Sequence, residues 1–422
     1  MRHPVDDGPA GRMLADLLQR SHLMAPADLA DYLTEAAQPL GISGVRIFLV
    51  DLQQHRLNAL PGGSGRAPSS LVIDSTLAGR AFQTITVQQA GEHPDGHRLW
   101  VPLVDGTERL GVMEVSLAAE SGPVEALGDD GTRTLLERCR MLGSFAGLVV
   151  AAKSVYSDSF ALVQRSREMA LQAEMVWAFM APRTFATSKV LLAAALEPAY
   201  EVGGDAFDYS LLGEHLHVSI FDSVGHDLTA GLISSVAMAA CRCVRRSGGD
   251  LTALATRADQ AIADQFGASR FCTALLCDLD TLTGTFTWIP CGHPPPLLIR
   301  DSKVIKELLR EPRLPLGLTE DRVGPAVTAA SPVYTEQLQP RDRLLLYTDG
   351  VTDARAADDR MFGLARLADF VIRHSAEGLP APETLRRLNR EIVNYQHERV
   401  RDDATVVLLE WMPRRPEAQL TA

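Results

Sequence analysis

The sequence predicts an α+β fold in its C-terminal half, preceded by a smaller mixed region and a helical connection. Three observations predict it. Strand-like runs at Leu216–Phe221, Phe271–Asp278, Gly284–Ile289, Pro296–Arg300, Leu344–Tyr347 and Ala404–Trp411 bracket two helical stretches. Strands around a helical pair suggest packed sheets with helices outside them. A separate strand, helix and hairpin series with its own turn signals lies upstream, between Val45 and Leu117. The length of 422 residues suits two or three domains at roughly 100–200 residues each.

Residues 1–23 read as a flexible N-terminal arm. From Asp28 to Gln38 the apolar positions Leu29, Tyr32, Leu33 and Ala36 recur at helical spacing, and Pro39 and Gly41 mark the end. Val45–Asp51 reads as a strand, followed by a Gly/Pro/Ser-rich break over Pro61–Ser70 and a helical piece at Leu77–Gln83. Arg98–Val104 and Arg109–Leu117 form a hairpin signal, because Asp105-Gly106 between them favours a tight turn. Helical periodicity returns from Thr132 to Lys153.

A second helix is expected from Ser154 to Arg183, with Leu162, Met169, Ala173, Val176 and Met180 on one face and Pro182 at its end. Such a connection reads as a passive spacer or as a signal-carrying dimer seam, and the spacer is the plainer of the two. Downstream, Thr229–Arg246 is helical. Leu251, Leu254, Ala258, Ile262 and Phe266 give another amphipathic helix, stopped by Gly267. The expected boundaries are 24–152 for the first domain, 153–185 for the connection, 186–412 for the second domain and 413–422 for a tail.

Composition excludes several classes. Hydrophobic residues make up 46% of the chain, enough for sizeable cores. A formal net charge of -12 opposes a nucleic-acid partner, since phosphate backbones attract basic surfaces. The apolar runs, such as that ending at Ala152, fall short of the ~20 residues a membrane span needs, and Met1–Ala10 has no apolar signal-like core. The six cysteines lack paired zinc-like spacing and read as buried reduced thiols of a cytoplasmic protein.

The chemistry concentrates in four acidic places: Gly203-Gly204-Asp205-Ala206-Phe207-Asp208; Asp222-Ser223-Val224-Gly225-His226; Tyr347-Thr348-Asp349-Gly350; and Asp402-Asp403-Ala404-Thr405. A single Asp-Gly is an ordinary turn. Four acidic places at strand ends are more informative, because carboxylates gathered at one end of a sheet repel unless cations lie between them. Oxygen ligands without His or Cys suit Mg²⁺ or Mn²⁺ rather than zinc. Two such ions can activate a shared water for attack on a phosphate. The sequence holds no P-loop, kinase glycine loop or Gly-x-Ser-x-Gly elbow.

These motifs, with Cys291-Gly292-His293-Pro294-Pro295-Pro296 and Tyr347-Thr348-Asp349-Gly350-Val351-Thr352-Asp353-Ala354, stand in the order of the SpoIIE-like PPM serine/threonine phosphatases. The resemblance covers about residues 190–410. It implies an αββα sandwich with a binuclear Mn²⁺ or Mg²⁺ site at one end. Carried over by position, it implies Asp205, Asp222, Asp349 and Asp402 as ligands, the Ser223 carbonyl as another, and Asp403 in or beside the set.

Three departures stand out. Asp227 follows the Gly-His pair and reads as a residue favoured at a helix N-terminus. His293 reads as a turn-fixing core histidine. Glu174–Pro182 resembles the family's regulatory helix, but Val176 replaces its glutamine, which puts a switch through that side chain in doubt.

Residues 24–152 resemble an α/β GAF domain more loosely, through Gly79-Arg80-Ala81-Phe82, Arg98–Leu103 and Arg109-Leu110-Gly111-Val112. This implies a sensory or dimerising module with a small-molecule ligand. Trp100 reads as a core tryptophan ahead of a pocket lining. Residues 1–138 hold no cysteine for a thioether-attached chromophore.

The implied function is metal-dependent removal of phosphate from Ser or Thr of a regulatory protein of the anti-sigma-factor-antagonist type. The chain would act as a homodimer regulated through the GAF-like domain and the linker helix. The rivals are a catalytically inactive phosphoprotein-binding pseudo-phosphatase and a small-molecule phosphohydrolase.

Overall fold

A computed structural model of the chain describes residues 9–61, 69–93, 96–117, 128–267, 270–318, 332–397 and 402–413. The first residues of the expected arm, most of the 61–70 break and the tail after 413 lie outside the described residues. The chain forms two compact units, divided between Arg167 and Glu168.

The N-terminal unit opens on a helix where an arm was expected. α1 (Pro9–Ser21) is amphipathic, and Met13 and Leu17 are buried in the unit's main core. Burial of that stripe holds the segment helical, and a polar, Pro/Gly-containing start hides it from a reading of composition. α2 (Leu29–Ala37) buries Leu29, Ala30, Leu33 and Ala37.

β1 (Ile42–Val50), β2 (Arg56–Ala59), β3 (Ser70–Val72), α3 (Leu77–Thr84), β4 (Gln88–His93), β5 (Gly96–Asp105) and β6 (Glu108–Leu117) follow. The strands form one antiparallel sheet in the order β3-β2-β1-β6-β5-β4. The expected hairpin is β5–β6, with Asp105 paired to Glu108 across the turn.

α4 (Gly128–Lys153) completes the main core beside α1 and α2, with Leu135, Cys139, Leu142 and Ala146 turned inward. α3 covers a smaller cluster of Phe48, Ala78, Ala81, Phe82 and Val112. Trp100 packs edge-on to Phe48 at 5.5 Å, in keeping with a core role.

The expected single helix from 154 to 183 is broken. α5 (Asp158–Gln164) ends at Arg165, which is extended, and α6 (Leu171–Phe179) restarts after the extended Ala170. The Ala170 N–H donates to the Tyr200 carbonyl at 2.9 Å. A long-range hydrogen bond therefore fixes the backbone where local periodicity favoured continuity. The expected apolar face divides with it: Ala173 and Val176 are buried, while Leu162 is 72% exposed.

In the C-terminal unit, β7 (Thr184–Ala186), β8 (Val190–Glu197), β9 (Asp205–Leu212) and β10 (His215–Ser223) precede α7 (Leu228–Arg246) and α8 (Leu251–Phe266). β11 (Cys272–Asp280), β12 (Thr285–Cys291), β13 (Leu297–Arg300), β14 (Lys303–Glu307), β15 (Tyr334–Gln337) and β16 (Arg343–Tyr347) come next. α9 (Asp349–Thr352), α10 (Gly363–Ala376), α11 (Ala381–Tyr395) and β17 (Ala404–Trp411) close the unit.

Two antiparallel sheets result, in the orders β15-β12-β11-β10-β9 and β14-β13-β16-β17-β8-β7. Side chains from both, among them Phe207, Val218, Ile220, Trp288, Leu344, Leu346, Val407 and Leu409, form the core between them. α6, α7 and α8 cover the outer face of the first sheet, and α10 and α11 that of the second. The layers are αββα. α7 is long and apolar enough to cross a membrane by length and composition, but here Ile233, Ala237, Met238 and Cys241 make it a core helix.

Candidate functional site

Antiparallel register brings the first two aspartates together. Asp205 begins β9, Asp222 lies near the end of β10, and the two residues are direct register partners. Side chains alternate along a strand. Asp205 shares parity with Phe207, and Asp222 with Val218 and Ile220, all of which face the core between the sheets. Both carboxylates therefore point to the gap between the sheets, at one end.

The second sheet supplies the other pair. β16 ends at Tyr347, Thr348 precedes α9, and Asp349 opens that helix. Asp402 and Asp403 immediately precede β17, which pairs with β16 through Tyr347 and Val406. Thr348 ties the sheets together: its hydroxyl donates to Asp205 Oδ2 at 2.7 Å and accepts from the Thr405 N–H at 2.9 Å.

Asp403 has a defined occupation. Its Oδ2 accepts the N–H groups of Gly203, Gly204 and Asp205 at 2.8, 2.7 and 3.1 Å. It clamps the turn that delivers Asp205. Charge-assisted bonds to backbone donors are the stronger kind, so this oxygen serves the loop, and Asp403 acts as a support.

Two glycines are required by close approach. A Cβ on Gly350 would lie 1.9 Å from the Asp403 carbonyl, and one on Gly204 would lie 2.4 Å from the Ser223 carbonyl. The Ser223 N–H donates to Gly204 O at 3.2 Å. The Ser223 hydroxyl meets that of Ser234 on α7 at 2.7 Å, and the Ser234 hydroxyl also donates to Gly204 O.

The electrostatics are one-sided. Burial, then repulsion from Asp349, Asp402 and Asp403, pushes the Asp222 carboxyl up to about 8. Burial, then Asp222 and Asp403, holds Asp205 well above the ordinary carboxylate range. Asp349 is raised by burial and then by Asp402 and Asp353. Asp402 is raised by burial, while the Asp403 N–H and His226 pull it back. Asp403 is raised by burial despite its three N–H donors.

Among the described residues, no three His, Cys, Asp or Glu side chains are already drawn into a closed metal-binding group. The donor chemistry nevertheless fits a hard divalent cation. The groups are oxygen donors from separate loops, and their mutual repulsion is the strain a cation relieves. Asp205, Asp222, Asp349, Asp402 and the Ser223 carbonyl are the groups available to hold it.

The remaining acids and histidines sort by partner. Asp208, three positions after Asp205, faces α7. It accepts Arg242 Nε at 3.1 Å and Nη2 at 2.7 Å, and Arg245 Nη1 at 3.2 Å. Arg242 also donates to the Phe179 carbonyl at the end of α6. Asp227 caps α7, accepting the Ala230 N–H at 2.9 Å. Asp353 follows α9, and its N–H donates to the Asp349 carbonyl. His293 is buried, pairs with the Thr273 hydroxyl through Nδ1 at 2.8 Å, and is pushed down to about 3 by burial. Val176, in the glutamine's place, lies on the buried face of α6.

Sequence reasoning missed Thr348 as the tie between sheets, Ser234, and the arginines that hold Asp208. Arg242 and Arg245 stand one helical turn apart on α7, a basic pair on one helix face that could have signalled a buried acid opposite.

The αββα layers and the acidic end are those that the resemblance to PPM-type phosphatases implies. Residues 213–412 match the family described as Stage II sporulation protein E (SpoIIE). The phosphoserine phosphatase RsbP of Bacillus subtilis (strain 168) is 30% identical over 162 residues, 37% of this chain and 38% of RsbP. The phosphoserine phosphatase RsbU of the same organism is 21% identical over 251 residues, covering 58% of this chain and 72% of RsbU. Protein IcfG of Synechocystis sp. is 27% identical over 243 residues, 51% of this chain. The chain thus spans 38% and 37% of the lengths of RsbP and IcfG. The crystal structure of the RsbU and RsbW domains of Rv1364c from Mycobacterium tuberculosis aligns with a TM-score of 0.44 at 24% identity, over 54% of this chain and 63% of that one.

Proposed function

We propose that the chain is a metal-dependent protein serine/threonine phosphatase acting on a phosphorylated regulatory protein. One observation carries this reading: Asp205 and Asp222 from one sheet meet Asp349 and Asp402 from the other at a single end of the sandwich. Asp205, Asp222, Asp349, Asp402 and the Ser223 carbonyl would hold two Mn²⁺ or Mg²⁺ ions. Such ions supply charge neutralisation on phosphoryl oxygens and lower the pKa of water.

The chain's residues do the rest. Asp403 fixes the Gly203–Asp205 turn, Thr348 orients Asp205, and Asp208 locks β9 to α7 through its two arginines. The names of RsbP and RsbU support a phosphoserine substrate. The N-terminal unit is taken as a GAF-like sensory module binding a small molecule. It would regulate the phosphatase domain through the 153–185 connection, in a cytoplasmic homodimer. Exposed Leu148, Val155 and Tyr156 near the end of α4 are compatible with such a contact.

The test is phosphate release from phosphoserine proteins by the full chain and by residues 186–412. Release should require Mn²⁺ and stop in Asp222→Asn and Asp349→Asn, with folding intact. Activity in either variant, or in the presence of a chelator, removes the metal mechanism. Tight phosphoprotein binding with no release by the wild type selects the pseudo-phosphatase instead.

A further inference from the structure

We infer that Arg270 is the side chain that recognises the substrate's phosphate, held at the mouth of the acidic site by Asp227. This rests on the phosphatase reading above and names its specificity-determining cation.

Arg270 stands just before β11, where Ser223 pairs with Cys272 and Asp222 with Thr273. Its neighbour Phe271 accepts the Val224 N–H at 3.1 Å. A Cβ on Gly317 would lie 2.9 Å from the Arg270 carbonyl. The backbone is therefore pinned between two loops at the acidic end. A Cβ on Gly225 would lie 3.6 Å from Arg270 Nη1. The guanidinium thus hangs over the loop that follows Asp222 and Ser223, partly exposed at 35%.

Its partner is loose and already shared. Asp227 Oδ1 accepts the Ala230 N–H that caps α7, and Oδ2 lies 3.6 Å from Arg270 Nη2. That separation aims the guanidinium without saturating it. Among the described residues, no side-chain hydrogen bond occupies its donors. A guanidinium offers a planar fork matched to phosphate oxygens.

The need for it follows from the charge of the site. The groups acting most strongly on Asp205, Asp222 and Asp349 are other carboxylates. A phosphate dianion entering there gains from a fixed cation at the rim, beyond whatever the ions between the carboxylates supply. Asp227 then has a purpose beyond capping α7.

The test measures inorganic phosphate binding to the Mn²⁺-loaded full chain by calorimetry, beside Mn²⁺ binding and steady-state kinetics. Arg270→Ala should weaken phosphate binding by about tenfold or more, raise KM for a phosphoserine protein in parallel, and leave Mn²⁺ affinity unchanged. Arg270→Lys should recover part of the loss. Asp227→Asn keeps the cap and frees the guanidinium, so phosphate affinity should hold or improve. Unchanged phosphate affinity in both Arg270→Ala and Arg270→Gln overturns the inference. So does a loss that appears only together with weakened Mn²⁺ binding. A wild-type chain that binds phosphate yet releases none from phosphoserine sinks the enzyme reading, while the Arg270 comparison still decides this one.

Discussion

Asp205 and Asp208 lie three positions apart on β9, both buried, on opposite faces of one sheet. Asp208 meets two arginines of α7. Asp205 meets Asp222 and Asp403, offset only by the side chains of Thr405 and Thr348. Burying a charge is costly unless it is paired. The acid whose partner is in the chain is a structural fastener. The acid whose neighbours are other acids marks a place where the partner must come from outside. The same contrast separates Asp342, gripped by Arg300 at 2.6 and 2.7 Å, from Asp349 and Asp402.

The largest effect expected from this contrast is on stability, at the fastened end. Asp208→Ala leaves Arg242 and Arg245 with an uncompensated pocket and should cost about 3–5 kcal/mol, read by denaturant unfolding. Asp205→Asn should cost far less in the metal-free chain, since it removes repulsion as well as a hydrogen bond. Equal losses at the two positions would erase the distinction.

A pH series sharpens it further. The carboxyls at the acidic end have folded pKa values above their unfolded ones. The stability they contribute is therefore present below about pH 4 and lost as pH rises toward the Asp222 value of about 8. In chelator, stability should fall across that window, on the order of 1 kcal/mol per unit for each proton difference. Asp222→Asn should flatten the slope, and Mn²⁺ should reverse it. A flat profile for the metal-free wild type would contradict the proposed repulsion.

The smallest effect lies at the opposite end of β10, where acids again have partners. His215 sits 2.8 Å from Asp278, and His217 lies 3.0 Å from the same carboxylate. The hydrogen bond to Asp278 raises His215 despite partial burial. Its contribution is present below the ordinary histidine value and lost as pH rises through the folded one. His215 is 57% exposed, so His215→Gln should change stability by less than about 1 kcal/mol, and only on the acidic side. A larger change measured by thermal unfolding would mean that this pair is a buried fastener like Asp208.

The sequence by itself determined the segments whose periodicity is strong and whose ends carry local signals. α7 and α8 begin at Asp caps, and α8 stops at Gly267. The β5–β6 hairpin and the strands β10, β11, β12, β13, β16 and β17 fall where apolar runs and turn residues put them. The four acidic motifs were equally legible, because each sits at a strand end near glycine or another carboxylate.

Tertiary structure alone decided the rest. β8 is an Ala/Leu run without alternation, and β9 carries two aspartates that oppose its burial, so neither announces itself as a strand. α10 and α11 supply the second helical layer, although no strong cap marks their starts. The break between α5 and α6 follows from the Ala170–Tyr200 hydrogen bond, a contact between residues distant in sequence. The division of labour among the aspartates is of the same kind. Asp403 and Asp402 are adjacent in sequence, and only register and packing give one of them three backbone N–H groups and turn the other toward Asp222. A local pattern can place a carboxylate at a strand end; which partner it meets depends on strands and helices folded in from elsewhere.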